Sequence, residues 1–306
     1  MYKGKFWIMI LIVLLFIPAC SNSRDLPFVP LEKTTNVTQE KQEQIPDQAL
    51  QVAIASVVSP LETRAMYEEL IKYFEKKLNK PLVVVQRGNY AEVNEMIKNK
   101  QVDLAFICSL SYFKGKESGY MRGIGAPEVN GKSLYRSYII VHKSTDYQTL
   151  GQLKGKRFAF TDPDSYSGRL AVLDLLKLDE KAVDNYFGET FLTYSHDYSV
   201  SAVAHGVVDG AAVDSLVFDQ MKLLGNEDAK NVKIIDYGKW IGSPPVVVSN
   251  SVTNELRLTL EKVLLEMDRD EEGKRILANL GITRFTPIDD QQYQPIKQIL
   301  QSVGKN

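Results

Sequence analysis

Val102-Asp103-Leu104-Ala105 recurs as Val208-Asp209-Gly210-Ala211, and this repeat decides how the chain is read. Each copy follows a short helical pattern and opens an apolar, strand-like run. Tyr90 and His196 stand thirteen residues before the aspartate of their copy, and Cys108-Ser109 and Asp214-Ser215 begin five residues after it. Offsets matched in both directions predict two equivalent units. Tyr90 and His196 would then open matching helices, and Cys108 and Asp214 would lie at the carboxyl ends of matching strands. In open α/β sheets, ligands bind outside those ends.

The rest of the chain extends the same alternation. Residues 50–55, 81–85, 103–107, 138–141, 157–160, 190–193 and 210–213 are short apolar or β-branched runs that read as strands. Between them, Tyr67, Leu70, Ile71, Phe74 and Leu78 fall at three- and four-residue steps, one face of a helix over 60–78. Further helices are expected over 90–98, 168–178, 198–204, 215–223, 253–267, 271–280 and 290–303. Strands alternating with helices of this length predict parallel sheets with crossover helices, an α/β fold. A length of 306 residues suggests two domains at about 150 each. With 44% hydrophobic and 25% charged residues, disorder and coiled coil are excluded as the main architecture. The net charge of −1 lacks the basic excess of a nucleic-acid binder. Two cysteines, Cys20 and Cys108, exclude a disulfide-stapled fold and a four-cysteine zinc site.

The N-terminus reads as an export segment. Lys3 and Lys5 precede an uncharged apolar run over residues 6–17, shorter than the roughly 20 residues a membrane span needs. Ile17-Pro18-Ala19-Cys20 closes it and resembles a lipoprotein lipobox, with Cys20 as the lipidated residue. Residues 21–48 are polar, hold three prolines, and read as a tether. The expected location is the extracytoplasmic face of the cell membrane, held by lipid.

One segment could hold an anion. Phe158-Ala159-Phe160-Thr161-Asp162-Pro163-Asp164-Ser165-Tyr166-Ser167-Gly168 runs from strand into helix. Asp-Pro and Asp-Ser supply turn and N-cap chemistry. A helix start offers unpaired N–H groups and about half a positive charge, so it binds an oxyanion without Arg or Lys. Capping alone accounts for one of the two serines.

With the paired V-D-x-A units, His196 and the later Gly242-Ser243-Pro244-Pro245-Val246-Val247, this D-P-x-S-x-S-G element resembles the substrate-binding proteins of phosphate, phosphite and phosphonate ABC importers. The resemblance spans roughly residues 50–270. It implies a two-lobe periplasmic-binding-protein fold of type II, with hinge strands and a ligand cleft between the lobes. Lobe one would comprise 49–141 and 246–306, and lobe two 142–245. The resemblance implies that Ser165, Tyr166 and Ser167 grip the oxyanion, Tyr166 through its backbone. His196 would donate from the same lobe, Tyr90 and Tyr135 from the other side, and Asp214 would face a ligand ammonium. The second acidic position of aminoalkylphosphonate binders is lost in the short 242–245 segment, leaving phosphate, phosphite or a simple phosphonate. The implied partners are that oxyanion and an ABC permease, with the protein itself monomeric.

Other motifs carry less. Ser111-Tyr112-Phe113-Lys114 fits S-x-x-K, but no S-D-N or K-T-G follows. His142, His196 and His205 lack metal-ligand spacing, and no cofactor or metal is expected. Arg169 is expected to face solvent. An enzyme on the same fold lacks an evident nucleophile–base pair. A sensor, or a binder of a sulfonate, amino acid or thiamine precursor, is the remaining alternative.

Overall fold

The structure is a computed structural model that describes residues 49–303. The expected export segment, Cys20 and the tether over 21–48 lie outside the described residues.

The β-branched and apolar runs form two sheets. The first contains β1 (Leu50–Ile54), β2 (Leu82–Gln86), β3 (Leu104–Phe106) and β4 (Met121–Glu128), joined late in the chain by β12 (Val246–Ser249) and β13 (Arg284–Thr286). Its order is β13-β4-β12-β3-β1-β2. The second contains β6 (Ser137–His142), β7 (Arg157–Phe160), β8 (Glu189–Leu192), β9 (Gly210–Asp214) and β10 (Val232–Tyr237), ordered β10-β6-β9-β7-β8. A short antiparallel pair, β5 (Leu134–Tyr135) with β11 (Ile241–Gly242), lies where the chain passes between the sheets.

Both sheets have a parallel core, β2-β1-β3 and β8-β7-β9. Both are mixed, however, not purely parallel as the alternation predicted. The strand beside each core, β12 or β6, arrives from the opposite sheet's part of the chain and runs antiparallel. Ser137–His142 pairs wholly within the second sheet, whereas the sequence reading grouped residues up to 141 with the first. The crossing therefore precedes Ser137.

Helices cover the faces. On one side of the first sheet, α1 (Pro60–Leu78), α9 (Asn254–Leu265) and α10 (Glu271–Asn279) bury Leu70, Phe74, Leu260, Leu264 and Ile276. On its other side, α2 (Tyr90–Lys98), α3 (Ser109–Glu117) and α11 (Gln294–Val303) share one apolar cluster with α4 (Ala171–Leu176) and α5 (Glu180–Tyr186) of the second sheet. The far face of the second sheet carries α6 (His196–Ala204), α7 (Ser215–Leu223) and α8 (Glu227–Lys230), packed through Val200, Val203, Phe218 and Ala229. No helix among the described residues is long and apolar enough to cross a membrane.

The internal repeat has a structural cause. Asp103 Oδ2 accepts the Gln51 N–H of β1 at 2.9 Å, and Asp209 Oδ2 accepts the Arg157 N–H of β7 at 2.9 Å. In both copies the same aspartate also donates its own N–H back to the carbonyl of that strand residue. Each V-D-x-A thus ties the start of one parallel strand to its neighbour.

Candidate functional site

The helix expected from residue 168 begins earlier. Tyr166–Leu170 forms a π turn that runs into α4. Ser165 is its N-cap, its Oγ accepting the Gly168 N–H at 2.9 Å, and the first backbone bond of the turn runs from Leu170 N–H to the Ser165 carbonyl at 3.1 Å. Wide turns of this kind leave more opening amides without intrahelical acceptors and concentrate at functional sites. Ser165 therefore takes the capping role. The Ser167 hydroxyl is paired with no group among the described residues, while the Ser167 carbonyl takes the Ser137 hydroxyl at 2.5 Å. The Tyr166 phenol turns away to donate to the Lys239 carbonyl at 2.6 Å, and only its backbone faces the turn.

Tyr90 and His196 are the first residues of α2 and α6, and Cys108 and Asp214 are the N-caps of α3 and α7. His196 is buried, and its Nδ1 lies 3.0 Å from Thr161 Oγ1 and 3.0 Å from the Asp214 N–H. A backbone N–H can only donate, so Nδ1 accepts and the ring proton sits on Nε2. Burial pushes the imidazole pKa down to about 3. The ring is a neutral donor whose Nε2–H has no partner among the described residues.

The two halves meet at this turn. Asp162 is buried, with Oδ2 accepting the Tyr90 N–H at 3.0 Å from the opposite half and Oδ1 accepting the Asp164 N–H at 2.8 Å. Lys114 of α3 pairs with Asp164 at 2.5 Å. The Cys108 thiol donates to the Asp164 carbonyl at 3.5 Å. Burial pushes that thiol up to about 11, against the amides of Tyr166, Leu110 and Ser111, so it stays protonated. The His196 N–H donates to the Val57 carbonyl at 3.0 Å, and the Ser59 N–H donates to Asp197 Oδ1 at 2.9 Å. Tyr135, on β5, packs edge-on to Tyr166 with ring centroids 5.9 Å apart. Its hydroxyl is buried with no hydrogen bond of good geometry; the Ser109 hydroxyl beside it donates to the Gly242 carbonyl at 2.7 Å. All seven candidate side chains thus lie around the contact between the halves.

Asp162, Ser137 and Asp197 were not singled out from sequence. The Asp-Pro turn signal located Asp162 but not its reach to Tyr90. Arg169, expected in solvent, instead pairs with Glu180 and lies 5.0 Å from the centroid of the Phe160 ring, away from the anion turn. His205 ends α6 on the surface beside Asp228. Among the described residues, no cluster of His, Cys, Asp or Glu could hold a metal ion.

The profile of the family described as "ABC transporter, phosphonate, periplasmic substrate-binding protein" matches residues 52–293. The chain belongs to this family. It is a phosphonate-type periplasmic substrate-binding protein of an ABC importer, a class that binds small ligands and works with a permease. The Phosphonates-binding periplasmic protein of Escherichia coli (strain K12) is 24% identical over 261 residues, covering 83% of this chain and 76% of that protein. The Phosphate-import protein PhnD of Mycolicibacterium smegmatis is 31% identical over 165 residues, covering 50% of this chain and 51% of that protein. Two solved structures share the fold. A binding protein component of a Pseudomonas aeruginosa ABC phosphonate transporter has a TM-score of 0.76 at 23% identity, covering 84% of this chain and 87% of its own. PhnD1 of Prochlorococcus marinus (MIT 9301), in complex with methylphosphonate, has a TM-score of 0.73 at 19% identity, covering 85% and 99%.

Asp214 gives this binding protein a stability signature. Burial raises its carboxyl to about 7, although its Oδ1 accepts the Leu216 and Val217 amides at 2.7 and 3.3 Å. Between pH 3.8 and 7 the folded state holds a proton that the unfolded state has released, so this group's contribution to stability falls as pH rises. His196 runs the other way between pH 3 and 6.5, since its unfolded form binds the extra proton. Asp214→Asn keeps the cap acceptor and removes only the ionisation. Its melting temperature is expected to gain on wild type as pH rises from 4 to 8, by about 5 °C or more at pH 8. Parallel melting curves across that range would refute the shift.

Proposed function

We propose that the protein captures a small tetrahedral oxyanion, a simple phosphonate, phosphite or phosphate, at the Ser165–Gly168 turn as its halves close. The observation that carries this reading is the neutral His196 ring, its Nδ1 held by the Asp214 N–H and its Nε2–H left without a partner among the described residues, together with a π-helix start and an unpaired Ser167 hydroxyl. The anion is met by dipoles and hydroxyls, with Tyr90 and Tyr135 closing from the other half. Lobe one comprises residues 49–136 and 243–303, and lobe two the segment between. The bonds from Tyr90 to Asp162 and from Ser59 to Asp197 hold the closed form that the permease engages. The protein acts as a monomer, carries no catalytic function, and is anchored through lipidated Cys20. A Cys20→Ser chain that still pellets with membranes would remove the anchor from this account.

Phosphate is a specific second ligand to test, since the Mycolicibacterium relative is named for phosphate import. Hydrogen bonds to a charged group contribute about 1.5–3 kcal/mol each, so four or five give micromolar or tighter binding, about −8 kcal/mol, after closure costs. Calorimetry with phosphate, phosphite and methylphosphonate is expected to find such binding. Ser167→Ala should weaken it about 10- to 100-fold. An unchanged affinity would move the site elsewhere.

A further inference from the structure

Resting on the reading above, we propose that the ligand is a phosphonate with a short, uncharged alkyl group, and that this group enters a preformed apolar cavity in the first half. The cavity lies at the carboxyl end of the first sheet. Its walls include Val57, Tyr67, Phe106, Ile107, Pro244 and Pro245, and no charged side chain lines it among the described residues. It leaves about 50 Å³ of free space, room for three or four groups of water size.

Its walls connect at three points in the chain to residues around the oxyanion turn. The Val57 carbonyl accepts the His196 N–H. Ile107 immediately precedes Cys108, whose sulfur faces the Tyr166 amide. Pro244 and Pro245 follow Gly242-Ser243, beside Tyr135 on the hinge pair. The Tyr67 phenol, held up at about 12 first by burial and then by the nearby Asp214 charge, marks the side facing the second half. Two buried hydroxyls without partners, Tyr135 and Ser243, belong to this same hinge region. They are neutral hydroxyls that can donate to a phosphonyl oxygen and bring no negative charge to balance an ammonium.

An ammonium would be poorly served. Asp214 Oδ1 is held by two amides of α7, and no carboxylate lines the cavity. A buried, unpaired cation is costly, whereas each buried methylene favours binding.

The test compares methyl-, ethyl-, n-propyl- and 2-aminoethylphosphonate, with phosphate alongside, by calorimetry on the mature chain at pH 7.5. The propyl and aminoethyl compounds have nearly the same shape. Affinity is expected to rise about three- to fourfold per methylene from methyl to ethyl until the cavity fills. Propylphosphonate should bind at least about tenfold more tightly than 2-aminoethylphosphonate. Ile282→Phe, on the cavity's far wall, should narrow the ethyl-to-methyl affinity ratio toward one. A flat alkyl series, or tighter binding of the aminoethyl compound, would overturn the alkyl cavity while leaving the oxyanion site intact. Failure of all five ligands to bind would overturn the oxyanion reading itself, and the cavity with it.

Discussion

Gly168→Ala is expected to lower ligand affinity at least about 100-fold while leaving a folded protein. At an ordinary helical position, glycine to alanine stabilises by about 0.5–1 kcal/mol. Here a Cβ would lie 2.5 Å from Thr161 Cβ, 2.6 Å from Thr161 Oγ1 and 3.0 Å from Ser165 Oγ. Thr161 cannot yield cheaply. Its Oγ1 is 3.0 Å from His196 Nδ1 and 3.3 Å from the Ala212 carbonyl, and its N–H donates to the Gly168 carbonyl at 3.2 Å. The clash therefore moves the turn, which breaks the Ser165 cap and re-aims the amides and the Ser167 hydroxyl together. Overpacking of this kind costs about 1–3 kcal/mol of stability. Calorimetry would read the loss of binding, and circular dichroism and thermal melting would show that the fold persists at a lower melting temperature. Wild-type affinity in this variant would mean that the turn does not hold the ligand.

Much of the framework behind that prediction is legible from residue patterns. Helices α1, α2 and α7 begin and end where periodicity put them, because their apolar faces are continuous and their caps are local. The repeat also located equivalent positions in the two halves. Tyr90 with His196, and Cys108 with Asp214, occupy equivalent helix starts because the aspartates of V-D-x-A fix the strand beside each in the same way. Less local features stayed hidden. β4 was not recognised because it contains Gly123 and Gly125, residues that usually break strands. A Cβ at Gly123 would meet Ile288 at 2.8 Å, and one at Gly125 would meet Leu264 at 2.7 Å, so the glycines are there for close packing from distant parts of the chain. The π turn moved the helix start because Ser165, not Ser167, takes the cap. The Asp162 bond to Tyr90 joins residues 72 apart in sequence, and no local pattern announces it.

His196→Leu is the other change with a large expected effect, and its argument turns on which charge state binds the anion. Leucine removes the Nε2–H donor and strips the buried Asp214 N–H and Thr161 Oγ1 of their shared acceptor. A lost hydrogen bond to a charged ligand is worth about 1.5–3 kcal/mol, and the stranded buried amide about 1–3 kcal/mol more in stability. Affinity should fall about 100-fold or more, with a clear drop in melting temperature. His196→Gln, which offers an amide donor and acceptor, should recover part of both. The pH profile separates two mechanisms that a single affinity cannot. An imidazolium with its ordinary pKa near 6.5 would bind an anion strongly at pH 5.5 and weakly at pH 8. Here burial holds the ring neutral down to about pH 3, so the wild-type affinity should show no loss attributable to His196 over that interval. What change there is should follow the ligand's own second ionisation, together with that of Asp214, whose carboxyl burial raises to about 7. It should shift between ligands whose ionisation constants differ, and keep the same shape in His196→Gln. A wild-type profile that falls around pH 6.5 for every ligand, and is flattened by His196→Gln, would show the ring to be cationic in the complex. Recognition would then rest on charge, not on a fixed neutral dipole.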